Sequence, residues 1–156
     1  MLLENDKKFM TEALLLAKEA SDEGEVPVGA VVVHKGRVIG KGRNRREKEK
    51  NALAHAELEA INEACVTLGG WRLPECTLYV TLEPCPMCAG GIINSRIGRT
   101  VIALRDARSG CLGSVINLNA YPFNHKTVTE YGLCEKESAA LMSEFFAKLR
   151  EKRNGK

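Results

Sequence analysis

No stretch of this sequence approaches the roughly 20 uninterrupted apolar residues that a bilayer-spanning helix needs. The opening residues, MLLENDKKFM, turn charged before the hydrophobic centre of a secretory signal can develop. Aromatic residues are scarce, at 5%, which argues against a surface built mainly for stacking on bases. Internal repeats, low-complexity tracts and long linkers are missing too. These absences point to one soluble domain, residues 1–156, in a reducing cytoplasm with no membrane partner. What is present, 44% hydrophobic and 28% charged residues, suits a globular chain long enough to bury a core.

In such a compartment six cysteines are weak evidence for disulfides, and metal or catalytic roles gain weight. Cys65, Cys76, Cys111 and Cys134 stand singly in apolar or mixed surroundings and read as small buried or half-buried residues. Charge is unevenly spread. The segment 41–50, KGRNRREKEK, carries a local +4, and the tail 148–156, KLREKRNGK, another +4, against a net +3 for the chain. Two basic patches on a mildly acidic body suit a polyanionic partner; a solvated loop and a frayed helix end give the same charge count.

Apolar residues at helical spacing (Phe9, Ala13, Leu16, Ala17, Ala20) predict a helix from Asp6, with Gly24 as its stop. The segments 26–33 and 36–42 read as two strands joined by a tight turn at His34-Lys35-Gly36. A helix over 54–69, a buried strand over 76–82, a short helix over 86–94 opened by Pro86, and a strand over 99–104 follow. A weaker strand over 125–130 precedes a closing amphipathic helix, 134–153, through Leu141, Phe145 and Leu149. The expected fold is α/β, a mixed sheet of about five strands with helices on both faces. Sites in such sheets lie where strands end and helices begin.

Cys85 and Cys88, in "TLEPCPMCAGG" (81–91), lie at such a junction. Pro86 and Met87 bring no charge to activate a redox thiol. At a helix start, residues i and i+3 point only about 60° apart, so both sulfurs can reach one ion, and the helix N-terminus stabilises thiolates. Three histidines could add a nitrogen: His34 in the hairpin turn, His125 beside Asn124, and His55, which opens the helix in "AHAE". Only His55 shares the strand–helix setting of the cysteines, although a histidine there also reads as a cap or a surface residue. Three protein ligands with an open fourth position describe a catalytic zinc. Glu57 is a nearby carboxylate, but on a regular helix residues two apart diverge by about 200°.

Together "HAE" (55–57) and "PCPMC" (84–88) resemble the H-x-E…P-C-x-x-C signature of the zinc-dependent nucleobase deaminases, whose role assignments are carried over here by position. The resemblance covers most of the chain and is nearest to the bacterial tRNA adenosine deaminases. The stretches "EVPVGAVVV" (25–33), "LYVTLEPCPMCAG" (78–90), "SRIGR" (95–99), "RDARSG" (105–110) and "SEFF" (143–146) carry it. It implies a three-layer α/β/α, cytidine deaminase-like fold and hydrolytic deamination of adenosine to inosine at the tRNA wobble position. Zn2+ would be held by His55, Cys85 and Cys88, one ion per subunit, with Glu57 as proton shuttle. Asn44 and the backbone N–H of Ala56 would contact the base. Asp106, Asn124, Lys148, Arg150 and Arg153 would hold the anticodon loop. The resemblance further implies a homodimer. The stretch "EPCPMC" also occurs in guanine deaminases, so a free-base or nucleotide deaminase is the alternative reading.

Overall fold

In Gly29–His34 (β1) five successive residues are buried, a pattern that requires cover on both faces of a sheet. That strand lies inside a five-stranded sheet with Arg37–Arg43 (β2), Cys76–Leu82 (β3), Arg99–Leu104 (β4) and Val128–Tyr131 (β5), in the order β2-β1-β3-β4-β5. β1 pairs antiparallel with β2 and β3, while β3, β4 and β5 run parallel. The coordinates, a computed structural model, describe residues 2–155; Met1 and Lys156, the ends of the expected domain and the last charge of the basic tail, lie outside the described residues.

The period-two alternation of strands sorts the core into two layers. Ala30, Val32, Leu78, Val80 and Ile102 face Ala56–Leu68 (α3) and Pro86–Asn94 (α4), whose Ala60, Ala64, Ala89 and Ile92 complete that cluster. Their neighbours Val31, Val33, Tyr79, Val101 and Ala103 face Phe9, Met10 and Ala13 of Asp6–Asp22 (α1). Glu135–Asn154 (α5) contacts α1 and β4 on that side. The fold is therefore the expected α/β/α arrangement on a mixed sheet. Among the described residues, no helix is long and apolar enough to cross a membrane.

Three local expectations change. The basic segment 41–50 folds into the end of β2 and a one-turn helix, Arg46–Glu49 (α2), rather than a loop. The weak strand begins at Val128, because His125 turns aside to bond the Ile97 carbonyl at 2.7 Å. The closing helix docks on a narrow stripe. Leu141 and Phe145 are half-buried, Leu149 is 36% exposed, and the buried residue of α5 is Ser138, whose hydroxyl donates to the Thr81 carbonyl at 2.5 Å. The hairpin turn is as expected, with Lys35 and Gly36 both at positive φ, the sign pattern of a type I′ connection.

Two glycines set the seat of α3. A Cβ on Gly40 would lie 2.1 Å from the Ala60 carbonyl, and one on Gly42 would lie 2.0 Å from that of Ala56. Only a bare backbone in β2 lets the helix approach so closely, and this brings its first turn down against the sheet.

On the other face a buried ion pair ties α1 to the strands. Arg99 Nη1 and Nη2 donate to the Asp6 carboxylate at 2.8 and 2.7 Å, and the Tyr79 hydroxyl donates at 2.6 Å. The guanidinium beside it holds the Asp6 carboxyl at about 2, below its ordinary 3.8. A carboxylate lowered on folding adds stability above its unfolded pKa and loses it as pH falls through the folded value. Unfolding free energies measured from pH 5 to pH 2 should show the advantage of the parent over Asp6→Asn shrinking by roughly 2 kcal/mol. An advantage constant across that range would mean that the charge of Asp6 contributes nothing.

Candidate metal centre and cleft

The helices α3 and α4 begin side by side, and each N-cap residue is in extended backbone: His55 at φ −94°, ψ 147° and Cys85 at φ −71°, ψ 176°. Pro86 occupies the first position of α4, where its missing N–H costs nothing, and Cys88 follows within the same turn. His55 Nδ1 lies 3.6 Å from Cys85 Sγ and 3.5 Å from Cys88 Sγ. The three ligand atoms all lie within 4.8 Å of one another. A tetrahedral ion with metal–sulfur bonds of about 2.3 Å and metal–nitrogen bonds of about 2.0–2.1 Å has S···N edges of roughly 3.6 Å. The two edges match, and a nitrogen with two sulfurs is a zinc-type donor set.

The electrostatics favour a cation. Both helix N-termini stabilise negative charge nearby. A hydrogen bond from the Cys88 thiol holds Cys85 as a thiolate, its pKa lowered to about 4, while the same bond and burial push Cys88 up. The bond to Cys85 raises His55 above its ordinary 6.5.

Glu57 is 3% exposed and lies near Cys88, where its charge helps to push that thiol up. The divergence expected of residues two apart does not arise, because His55 precedes the helix in extended backbone while Glu57 lies inside the first turn. Burial, reinforced by the charge of Cys85, pushes its carboxyl up to about 7. A carboxyl there can hold or release a proton near neutral pH.

A cleft of about 460 Å³ opens onto this centre. Val26, Val28 and Leu82 give it apolar walls, and the exposed Arg46, Arg108 and Phe146 stand at its edge. Asn44 lines it as expected, but its amide is largely engaged: Oδ1 accepts the Ala56 N–H at 3.0 Å and Nδ2 donates to the Val26 carbonyl at 3.2 Å. A base contact from the Ala56 N–H would therefore require breaking that bond, whereas Asn44 Nδ2 has a second hydrogen. Asp106 also lines the cleft, with Oδ1 accepting the N–H groups of Arg108 at 3.0 Å and Ser109 at 3.3 Å.

Other expected residues lie apart. Asn124 is exposed in the loop before β5 and does not line the cleft. His34 lies 3.6 Å from Glu75, and His125 is bonded to Ile97, so neither joins the cluster. Arg150 and Arg153 line a groove that shares Arg108, Met142 and Phe146 with the cleft, whereas Lys148 faces Ser21–Gly24 across a different groove. Residues 148 and 150 point about 200° apart on one helix, so the tail is not a single basic face.

The basic segment is similarly divided. Arg43 pairs with Glu19 and Glu23 at 3.2 and 2.7 Å, Lys48 with Glu23 at 3.3 Å, and Arg45 with Glu59 at 2.8 Å. Arg46 is the residue of this segment that, besides Asn44, reaches the cleft. Two buried carboxylates escaped the sequence reading. Glu25 accepts the Glu47 and Lys48 N–H groups at 3.1 and 2.9 Å, and Glu83 gathers the loop after β4. An acidic residue at the end of an apolar strand, directly before Pro84, was the available signal for Glu83.

Comparison with known proteins places this geometry. A tRNA-specific adenosine deaminase of Bacillus subtilis (strain 168) is 46% identical over 149 residues, covering 95% of this chain and 92% of that protein. A structure from a study of A-to-I editing by tRNA:A34 deaminases at the wobble position superposes with a TM-score of 0.83 at 42% identity, over 86% of this chain and 98% of the other. A guanine deaminase from Nitrosomonas europaea superposes with a TM-score of 0.78 at 25% identity, over 94% and 87%. The pattern of the MafB19-like deaminases matches residues 4–150, almost the full length, and the chain belongs to that family.

Proposed function

We propose that this chain hydrolytically deaminates adenosine to inosine at the wobble position of a tRNA, as a single deaminase domain with a basic C-terminal helix. The observation that carries this is the His55–Cys85–Cys88 triangle with Glu57 buried against it at the inner end of the cleft. The three donors would hold a zinc ion, which when bound lowers the pKa of a water ligand to about 7 and makes it nucleophilic at neutral pH.

The chain's own residues do the rest. Glu57 takes a proton from the attacking water and gives it to N1 of the adenine ring, then passes the second proton of the added oxygen to the amine, which leaves C6 as ammonia. Its position beside Cys88 keeps it near both the ring and the attacking water. The second hydrogen of Asn44 Nδ2 is available to an acceptor on the purine edge. Val26, Val28 and Leu82 exclude water from the base. A stacked base cannot present C6 to a buried centre, so the substrate is a splayed nucleotide from an RNA loop. Arg46 and Arg108 at the cleft edge, continued by Arg150 and Arg153, suit the flanking phosphates. A homodimeric assembly and a cytoplasmic setting belong to the same reading.

The guanine deaminase likeness favours a second reading, a free-base enzyme, at the lower of the two structural identities. Incubation with an anticodon stem-loop carrying adenosine at the wobble position should yield inosine, with no conversion of free guanine or cytidine. Guanine turnover without inosine would reverse the assignment.

Glu57→Gln should lower the deamination rate by about 10²–10⁴-fold. Its metal content and melting temperature should match the parent; a large fall in metal content would count against a proton-transfer role.

Elemental analysis of the purified protein should find one zinc per chain, removed by chelation together with activity and restored with it. Cys88→Ser should lose most of that zinc. Full deamination by metal-free protein would end the zinc assignment.

A further inference from the structure

Glu83 is 2% exposed and stands between the end of β3 and the ligand Cys85. Its carboxylate accepts four hydrogen bonds from one loop. Oε1 takes the Asp106 N–H at 3.1 Å and the Ser114 hydroxyl at 2.5 Å, and Oε2 takes the Leu112 and Ser114 N–H groups at 3.2 and 3.0 Å. The adjoining backbone is tied to the end of β4 and to the same loop. The Glu83 N–H donates to the Leu104 carbonyl at 2.8 Å, and the Cys111 N–H donates to the Pro84 carbonyl at 2.9 Å. A Cβ on Gly110 would lie 2.3 Å from the carboxylate, so the loop is pressed directly onto it. Asp106, held at its N–H by Glu83, in turn caps Arg108 and Ser109, and all three line the cleft.

We infer that Glu83 is a positioning residue, which fixes the cleft-lining turn 106–109 relative to Cys85 and so sets how an RNA strand is bound. The inference rests on the proposed function for its substrate. Glutamate is required by chemistry as well as shape. Both oxygens face N–H donors, so a glutamine would turn its amide NH2 toward at least one of them and leave that donor without an acceptor. The turn would then detach from the end of β3 while His55, Glu57 and the cysteines, held by α3 and α4, keep their places.

Amide exchange and kinetics separate this from general structural support. In Glu83→Gln the amides of Asp106, Leu112 and Ser114 should exchange on the order of tenfold faster or more, with those of β3 and α4 unchanged. KM for the stem-loop should rise on the order of tenfold, with kcat changed by less than about threefold. Ser114→Ala, which removes one hydroxyl bond and leaves the buried carboxylate in place, should move KM in the same direction by a smaller factor. It decides the matter if Glu83→Gln fails to fold. Loop exchange unaltered in the folded variants, or a fall in kcat at constant KM, would overturn the inference. Exchange is read without substrate, so a parent that made no inosine would refute the proposed function and still leave the latch to be judged by its amides.

Discussion

The close seating of α3 and α4 on one face of the sheet is the constraint on which the site depends. A tetrahedral donor set tolerates errors of only a few tenths of an ångström, and its three members come from two helix starts 30 residues apart in sequence. Extended N-cap backbone at His55 and Cys85 turns each side chain toward the other, and Pro86 fixes the entry of α4. The helix termini cannot drift, because α3 rests on bare backbone at Gly40 and Gly42 and buries Ala56, Ala60 and Ala64 against the strands. Small residues here serve distance. The sheet supplies rigidity, and the first turns of the helices supply both the ligands and the positive field that favours thiolates.

Three buried glutamates in one small chain invite comparison, since burying a carboxylate is costly unless donors meet it. Glu25 and Glu83 are met by backbone N–H groups, two for the former and three plus a hydroxyl for the latter, so that Glu25 holds the first turn of α2 and Glu83 the loop after β4. For Glu57 desolvation outweighs what donors it has, and with the nearby charge of Cys85 drives it toward the protonated form. The difference separates carboxylates that build the cleft from the one suited to move a proton inside it.

Local pattern made much of this legible. The apolar runs in 26–33 and 76–82, the helical spacing after Asp6 and the Pro86 helix start located β1, β3, α1 and α4, because these features depend on neighbours within a few residues. His55, Cys85 and Cys88 were legible as candidates from spacing and setting, and structure removed His34 and His125 by giving each another partner. Tertiary pairing was not legible. The +4 of segment 41–50 looked like a binding surface, yet Arg43, Arg45 and Lys48 pair with Glu19, Glu23 and Glu59, carried by α1, the turn directly after it, and α3 on the other side of the sheet. Glu83 was hidden for the same reason, since its partners begin 23 residues later.

That internal pairing changes how a polyanion would be recognised. Counting charge suggests two broad basic surfaces and hence strong, unspecific attraction to any nucleic acid. The folded chain instead keeps half of the first patch occupied with carboxylates and turns Lys148 away from Arg150. What remains near the chemistry is a short series of guanidiniums, Arg46 and Arg108 at the cleft and Arg150 and Arg153 along the adjoining groove. Guanidiniums fixed around one opening register a strand relative to the centre more than they raise overall affinity. Selectivity on the proposed reading then comes from whether a nucleotide can leave its stack and reach Glu57 while its neighbours' phosphates stay on those arginines. A paired duplex would pay the full unstacking cost for the same contacts, whereas an open loop has already met most of it.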